Sequence, residues 1–216
     1  MDQVNKNQYQ GFMNQATHSS HQKPQGDVYD TLARIPMDQW GGDDDAKKYT
    51  AMAISQRARR MYRGSLFADQ NAKYAHFNEF NANTPEKEDL LKRVTEIAKR
   101  ITSDEKFNAV FTGGAGTGKT YSAVCIANHL QARKEMPPYS VLFVSVPALF
   151  DMELQKARGD REFIEKANIM EKRISAADVV IFDDFGSETS MRKGVTEASE
   201  FTQKTWFRIA DVRNGR

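Results

Sequence analysis

The sequence predicts an α/β fold in which a doubly wound parallel sheet carries helices on both faces. Three features predict it: a glycine-rich loop between an apolar run and a helix-compatible run, an apolar, β-branched run at residues 141–146, and a third run at 178–184 that ends in two aspartates. Nearly continuous apolar runs are typical of parallel strands, because helices cover both faces of such sheets. Helix-compatible segments separate the runs, and this alternation favours crossover connections between parallel strands.

The glycine-rich loop carries the clearest chemical signal. Residues 113–120 read Gly-Gly-Ala-Gly-Thr-Gly-Lys-Thr and fit the phosphate-binding pattern G-x-x-x-x-G-K-[ST]. We predict that residues 107–112 form the first buried strand and that residues 121–133 form the helix after the loop. Glycines let successive backbone N–H groups point at an anion, and the helix N-terminus adds the positive end of its dipole. An ordinary glycine-rich turn is the alternative, and the full pattern in this context disfavours it.

ATP and Mg²⁺ are the predicted ligands of this loop. Lys119 is expected to reach the β- and γ-phosphates, and the Thr120 hydroxyl is expected to bind Mg²⁺. The predicted nucleotide-binding residues are Gly113, Gly114, Ala115, Gly116, Thr117, Gly118, Lys119, Thr120 and Tyr121.

The third apolar run supplies a carboxylate pair, Asp183 and Asp184. A buried strand of this kind brings an acid to the metal ion beside the phosphate loop. Asp183 is the predicted metal-side carboxylate, acting through water because Mg²⁺ keeps much of its hydration. Asp184 is the predicted general base or water-orienting acid, although an aspartate reaches less far than a glutamate. The predicted catalytic residues are therefore Lys119, Asp183 and Asp184, and the predicted metal ligands are Thr120 and Asp183.

Composition limits the class of protein. The 216 residues include 31 Lys+Arg and 29 Asp+Glu, and the net charge of +2 does not mark a polyanion binder. The single cysteine excludes a disulfide framework and a multi-cysteine zinc site. We expect Cys125, inside the predicted helix, to be a buried thiol. Because the chain has neither a membrane-length apolar run nor a signal sequence, we expect a cytoplasmic protein without membrane contact.

Three regions are predicted along the chain. Residues 1–45 are rich in Gln, Asn, Ser, Gly and Asp, so they are expected to form a mostly disordered tail. Residues 46–70 are predicted to be a basic helical segment or linker that binds a partner. A solvated charged face is the alternative to a docking or nucleic-acid surface there. Residues 71–216 are the predicted ATPase domain.

Local signals place four further helices. Thr84-Pro85-Glu86 offers a capping hydroxyl, a proline at the first helical position and an acid in the first turn. Pro147 opens a helix after the second strand, and another is expected from residue 160 to about 175. A last helix is predicted at residues 199–213, with Asn214-Gly215 as its stop.

These motifs resemble those of the AAA+ P-loop ATPases of the DnaC/DnaI-type bacterial and phage replicative helicase loaders. The resemblance covers residues 77–216. It rests on Phe77-Asn78-Glu79-Phe80, on Gly-Thr-Gly-Lys-Thr at 116–120, on the Pro-Ala-Leu-Phe helix start at 147–150 and on Ile-Phe-Asp-Asp-Phe-Gly at 181–186. Transposition-helper ATPases look much alike over the same span.

The resemblance implies a set of partners. The part before residue 70 would grip a hexameric replicative DNA helicase, the ATPase part would contact single-stranded DNA, and self-assembly would run through the ATPase domain. Lys156, Arg158 and Arg161 match the basic DNA-contacting positions, with solvent-facing charges as the alternative. Phe77 and Phe80 either flank the adenine or belong to the core, and the core is favoured.

The resemblance also implies elements that this sequence does not contain: a fourth strand between the first and third strands, an arginine finger and a helical lid. Arg213 and Arg216 match the finger poorly. We therefore expect a fold that is incomplete at its C-terminus. Because a missing central strand leaves backbone groups unpaired on two neighbours, marginal stability is expected. Since an arginine finger is worth ~10³–10⁵ in rate, the chain is expected to bind ATP·Mg²⁺ but to hydrolyse it barely.

Four functions fit the sequence. The leading one is an ATP-dependent loader that delivers a hexameric replicative helicase to single-stranded DNA during replication. The second is a transposition helper that binds duplex DNA and a transposase. A small-molecule phosphotransferase is disfavoured because no acceptor site is evident. The fourth is a nucleotide-binding adaptor without turnover, whose basic helix binds a partner.

Overall fold

The computed structural model describes residues 36–103, 105–133, 137–186 and 200–214. The first 35 residues of the predicted disordered tail therefore lie outside the described residues, as does the predicted stop at Gly215.

The described residues form six α-helices and two strands, with short 3₁₀ turns between them. Thr84 accepts a hydrogen bond from the backbone of Lys87 at the start of the second helix, and Asp160 caps the fifth helix in the same way. In chain order the elements are α1 (Asp44–Arg63), α2 (Pro85–Thr102), α3 (Lys119–Gln131), β1 (Val141–Ser145), α4 (Val146–Ala157), α5 (Arg161–Ala176), β2 (Val179–Asp183) and α6 (Glu200–Asn214). The helices predicted from capping signals and from prolines are thus confirmed.

The sheet is parallel, as predicted. β1 pairs with β2 in a register that sets Val141 beside Val179 and Ser145 beside Asp183, so both strands end at the same edge. On its other side β1 is joined by Leu66, which forms an isolated parallel bridge with Val144. The Leu66 N–H donates to the Phe143 carbonyl at 2.8 Å, and the Leu66 carbonyl accepts from Ser145 N–H at 2.7 Å. β1 is therefore paired on both sides.

Helices cover both faces of this sheet, which makes the fold a helix-rich α/β fold of the predicted class. Leu142 and Val144 of β1 pack with residues of α4, α5 and α6 on one face. Val141 and Phe143 point to the opposite face, where α2 and α3 pack. All five residues of β1 are buried, as expected for a strand with a helical layer on either side.

An ion-pair network fastens α6 to the helices before it. Arg208 donates to the carboxylate of Glu153 at 2.6 Å and also pairs with Glu171. The Glu153 side chain is only 5% exposed, and Lys156 lies 3.9 Å from the same carboxylate oxygen, so two cations offset the cost of burying this carboxylate. Trp206 adds aromatic contacts with Phe150 and Phe182.

The strand predicted at residues 107–112 is not formed, and that prediction was wrong. Residues 105–114 have no regular secondary structure, and the Val110 side chain is 82% exposed. A strand is stable only where a neighbour accepts its backbone hydrogen bonds. Within the described residues β1 is paired on both sides, and residues 107–112 do not pair with the second side of β2, so no neighbour stabilises them as a strand. β2 is likewise half-buried rather than buried as predicted.

The segment 46–70 contains the predicted basic helix, and the binding of a partner by this segment stays a prediction. α1 begins at Asp44, inside the predicted tail, and Asp43 caps it by accepting from Ala46 N–H. Ile54, Ala58 and Met61 are buried, and Met61 belongs to the core beside β1. The helix and the bridge at Leu66 are therefore built into the α/β fold. Among the described residues, no helix has the length and apolarity that a membrane span needs.

Candidate nucleotide-binding site

The glycine-rich loop owes its curvature to backbone conformations that side chains disfavour. Gly116 and Gly118 have φ of +75° and +88°, in the left-handed region that favours glycine. Gly118 is the residue at which the chain turns into α3, so the loop ends at a helix N-terminus. A Cβ at Gly113, whose φ is +150°, would lie 2.9 Å from Thr117 Oγ1. The loop is therefore a cradle that the glycines keep open.

Lys119 lies across this cradle. Its ammonium donates to the carbonyl oxygens of Gly113 at 3.0 Å and of Gly114 at 2.8 Å. The Thr117 hydroxyl also donates to the Gly114 carbonyl, at 3.0 Å. A positive charge thus lies beside the N-terminus of α3, whose first backbone N–H groups lack partners within the helix. Both features favour an anion at this place.

Thr120 and Asp183 meet across the site although 63 positions separate them in the sequence. The Thr120 hydroxyl lies 3.0 Å and 3.1 Å from the two carboxylate oxygens of Asp183, to which it donates. Alternation along β2 accounts for this contact, because Val179 and Ile181 face the layer that contains α3 and Asp183 faces the same way. The predicted metal ligands are therefore in contact.

The surroundings of Asp183 shift the pKa of its carboxyl group. Burial raises the pKa of Asp183 above its usual value, and the negative charge of Asp184 acts in the same direction. The hydrogen bond from Thr120, the Asp184 backbone N–H and the Lys119 charge oppose that rise in the pKa. A carboxylate held in this way gains from a nearby cation, because added positive charge favours its ionised form.

Asp184 has a different setting from that of its neighbour. Its backbone has φ of +57°, a conformation that is uncommon for a residue other than glycine. Its side chain is exposed at the carboxyl edge of the sheet. The structure thus sets Asp184 next to Asp183 at an exposed position, and the role of general base stays a prediction.

The donor set fits ATP and Mg²⁺. Lysine and backbone N–H groups at a helix start are suited to phosphate oxygens, and a hydroxyl with a single carboxylate suits a metal ion that keeps most of its water. The described residues contain no cluster of three or more metal-ligating side chains, and a magnesium ion bound through phosphates and water does not require one.

Tyr121, also predicted to bind nucleotide, lies just outside the loop on α3. Its hydroxyl donates to the His76 carbonyl at 3.4 Å, and its ring meets Phe80 edge-on at 5.6 Å. Phe77 makes a similar edge contact with His129 at 5.7 Å. Both phenylalanines pack against the core, which agrees with the favoured interpretation. Cys125 is fully buried in the same cluster, as predicted.

The three predicted DNA-contacting residues have unequal surroundings. Lys156 lies 3.4 Å from Glu171 and 3.1 Å from Asn168, and its side chain is only 25% exposed. Arg158 and Arg161 are exposed. The charge of Lys156 is therefore partly neutralised by Glu171. DNA contact by Lys156, Arg158 and Arg161 stays a prediction.

Sequence reasoning missed Ser145. This residue is 1% exposed and pairs with Asp183 in the sheet register, so both side chains are on the same face. Its hydroxyl has no hydrogen-bond partner among the described residues, although buried hydroxyls are normally satisfied. A polar residue at the carboxyl end of an apolar strand was the signal that could have revealed it.

Comparison with known protein families, like the geometry of the site, indicates an ATP-binding protein. Residues 46–203 match the family described as IstB-like ATP binding protein. The chain belongs to this family. No curated protein matches it. The IstB-like match begins within α1, which agrees with the packing of that helix against the sheet. An IstB-like chain of this α/β fold is a P-loop ATP-binding protein of the AAA+ type.

Proposed function

We propose that this IstB-like protein binds ATP together with Mg²⁺ at the loop 113–120 and Asp183. The observation that carries the proposal is the contact between Thr120 and Asp183 at 3.0 Å, beside a lysine that lies on the glycine cradle. Two segments far apart in sequence meet here in the arrangement that a metal-bound triphosphate requires.

Each residue has a part in this binding. Lys119 would leave two neutral carbonyls for the charged β- and γ-phosphates, and an ionic partner makes a stronger hydrogen bond than a carbonyl. Thr120 and Asp183 would hold Mg²⁺, the carboxylate through water. When bound, Mg²⁺ supplies positive charge that neutralises the phosphate oxygens. Backbone N–H groups at the start of α3 would orient the phosphates.

Hydrolysis is proposed to be slow in the chain by itself. Arg213, the described arginine nearest the end of the sequence, donates to the carbonyls of Ala177 and Asp178. It thus anchors the start of β2, which supports the view that it is not a transition-state arginine. Without such a group, turnover would fall by ~10³–10⁵ relative to an assisted site.

Binding can be tested by titrating the protein with a fluorescent ATP analogue in the presence of Mg²⁺. Lys119→Ala, Thr120→Ala and Asp183→Asn should each weaken binding by about tenfold or more, a loss of about 1.4 kcal/mol or greater. Lys106→Ala, which removes an exposed lysine outside the loop, is the control and should bind normally. Equal affinity in the wild type and Lys119→Ala would overturn the proposal.

In the cell, the proposed role is that of a helicase loader that delivers a hexameric replicative helicase to single-stranded DNA under ATP control. The motifs at 77–80 and 181–186 support it, because they resemble those of the DnaC/DnaI-type loaders. Co-purification with the replicative helicase, dependent on ATP and absent in Lys119→Ala, is the expected result. A failure to bind the helicase at micromolar concentrations would exclude this role.

A transposition helper is the second candidate, and the IstB-like family match favours it. Such a protein would prefer duplex DNA and would bind a transposase instead of a helicase. Gel-shift measurements with matched single-stranded and duplex oligonucleotides separate the two roles. If neither DNA binds and phosphate release is absent, the remaining role is that of a nucleotide-binding adaptor.

A further inference from the structure

A groove of about 520 Å³ lies away from the phosphate loop, between the end of α1 and the exposed side of α5. None of residues 113–120 lines it. Leu66, which bridges to β1 on the side away from β2, forms part of its wall. Its volume falls within the range of about 300–1,000 Å³ that is typical of ligand sites. The walls carry four cations: Arg60, Arg63, Lys166 and Arg173.

Two of these cations already interact with other groups of the protein. Arg173 donates to the Gly64 carbonyl at 3.2 Å and so satisfies the C-terminal end of α1. Lys166 pairs with Glu162 at 2.6 Å. Arg60 and Arg63 are exposed and form no ion pair within the described residues. Cations in the last turn of a helix interact favourably with the helix dipole, but this stabilisation is small at exposed positions. Two arginines therefore remain available to a ligand.

The floor of the groove is apolar. Met152, Met170 and Ile169 line it, and Ile169 is 40% exposed, whereas the two methionines are 8% and 4% exposed and belong to the core beneath it. Ile169 is therefore the main apolar surface that the groove offers to a ligand. No aromatic ring is among the described residues that line the groove. Because single-stranded nucleic acids are bound by stacking on aromatic rings, this floor does not fit them.

We propose that the groove binds an acidic amphipathic segment of a partner protein. Carboxylates of the segment pair with Arg60 and Arg63, and its aliphatic or aromatic side chains cover Ile169. Charge complementarity selects an anionic occupant, since no carboxylate lines the groove among the described residues, and the exposed Ile169 favours one that also carries apolar side chains. The mode is that of an amphipathic helix laid into a groove. It is independent of nucleotide binding and adds a protein-docking surface to the ATPase.

The test uses the full chain and a fluorescein-labelled synthetic peptide, a designed amphipathic helix of Glu, Leu and Phe. Fluorescence anisotropy measures its binding to wild type, to Arg60→Glu/Arg63→Glu and to the control Lys48→Glu/Arg59→Glu. Both double variants change the net charge equally, and both alter exposed residues of α1. We expect the groove variant to lose affinity about tenfold or more and the control to change less than about threefold.

A second pair of variants tests the apolar floor. Ile169→Ser should weaken peptide binding about threefold or more, whereas Ile164→Ser should not. Both isoleucines are on α5 with similar exposure, 40% and 36%, but only Ile169 lines the groove. Far-ultraviolet circular dichroism confirms that each variant is folded.

Three outcomes would overturn the proposal. The peptide shows no binding at 1 mM protein, or both charge variants weaken binding equally, which indicates unspecific attraction. A 20-nucleotide single strand or duplex that outcompetes the peptide, and that is lost only in Arg60→Glu/Arg63→Glu, assigns the groove to nucleic acid. The measurements need no ATP, so a failed nucleotide titration leaves them interpretable.

Discussion

At the scale of single residues, the most informative contact is the one between Thr120 and Asp183. Burial raises the pKa of Asp183, so the folded chain holds a proton on this carboxylate more tightly than the unfolded chain does. The unfolding free energy that this residue contributes is therefore greatest at acid pH and falls as pH rises through the raised pKa. At neutral pH the ionised carboxylate costs stability, and the proposed binding of a metal ion would offset this cost.

Asp183→Asn should consequently raise the Tm of the nucleotide-free protein by a few degrees at pH 7, while metal-dependent ATP binding is lost. At pH 3, where the wild-type carboxyl is mostly neutral, the Tm difference should shrink. Differential scanning calorimetry at the two pH values measures both effects. Asp151→Asn, at an exposed position on α4, is the control. A lower Tm for Asp183→Asn at pH 7 would contradict this account.

A second residue-scale contact joins α1 to α3. The Tyr62 hydroxyl donates to Asn128 Oδ1 at 3.0 Å, and the Asn128 amide donates to the carbonyls of Lys73 and Ala75. Burial raises the pKa of Tyr62 to about 12, because the phenolate would lose its hydration. The neutral form is thus favoured by folding, and its contribution to stability is full below the usual pKa near 10.

Tyr62→Phe should lower the unfolding free energy by about 1 kcal/mol, the typical value of one hydrogen bond. The same variant should lose less stability than wild type between pH 10 and about 12, where Tyr62 in the unfolded chain ionises. Urea unfolding at pH 8 and pH 11 measures the two differences. If the wild type and Tyr62→Phe lose stability equally over this range, Tyr62 is not the buried group that the fold keeps neutral.

At the scale of elements, the sequence was sufficient to predict those helices, strands and loops that residues within the same segment determine. Thr84-Pro85 and Asp160 start α2 and α5, because capping depends on side chains within the same turn. The five residues of β1 are all apolar or small and are buried as expected. The phosphate loop is also local, since a fixed series of glycines sets its backbone.

The elements that sequence reasoning missed depend on distant neighbours. Residues 107–112 have the composition of a strand, but a strand also requires a neighbouring segment that pairs with it, and composition does not report whether that pairing forms. The sequence predicted α1 as a basic helix but not its place in the fold, where Ile54, Ala58 and Met61 are buried and Met61 packs in the core beside β1. Its role became visible only once the Leu66 bridge joined this segment to β1. The Thr120–Asp183 contact could be predicted because the phosphate loop and the strand end are both recognisable motifs.

The contrast between buried β1 and residues 107–112, which form no strand, gives an element-scale prediction. Val144→Ala, in fully buried β1, should cost about 2 kcal/mol of unfolding free energy, because two methyl groups leave the core and a cavity remains. Val110→Ala, at a position 82% exposed, should stay within about 0.5 kcal/mol of wild type. Urea unfolding of the two matched variants decides the matter. A large loss at Val110 would indicate that residues 107–112 are paired as a strand in solution.

At the scale of the whole molecule, a small sheet carries the ATP site. Within the described residues the sheet has two strands plus one bridge, and β2 has a neighbour on one side only. Two-stranded sheets owe their stability to the helices packed on them. The expected stability of the molecule is therefore low, and a ligand that joins the loop to β2 should supply a large fraction of it.

Nucleotide should accordingly protect the whole chain against unfolding. A ligand present at a hundred times its Kd adds about 2.7 kcal/mol, and each kcal/mol moves the Tm of a protein of this size by about 2–4 °C. Saturating ATP·Mg²⁺ should thus raise the Tm by about 5–11 °C. The shift should vanish in Lys119→Ala and shrink when EDTA removes the metal, because in the proposed complex Lys119 and Asp183 bind opposite sides of the same ligand. A Tm that ATP·Mg²⁺ leaves unchanged in the wild type would mean that loop and strand are not joined by nucleotide.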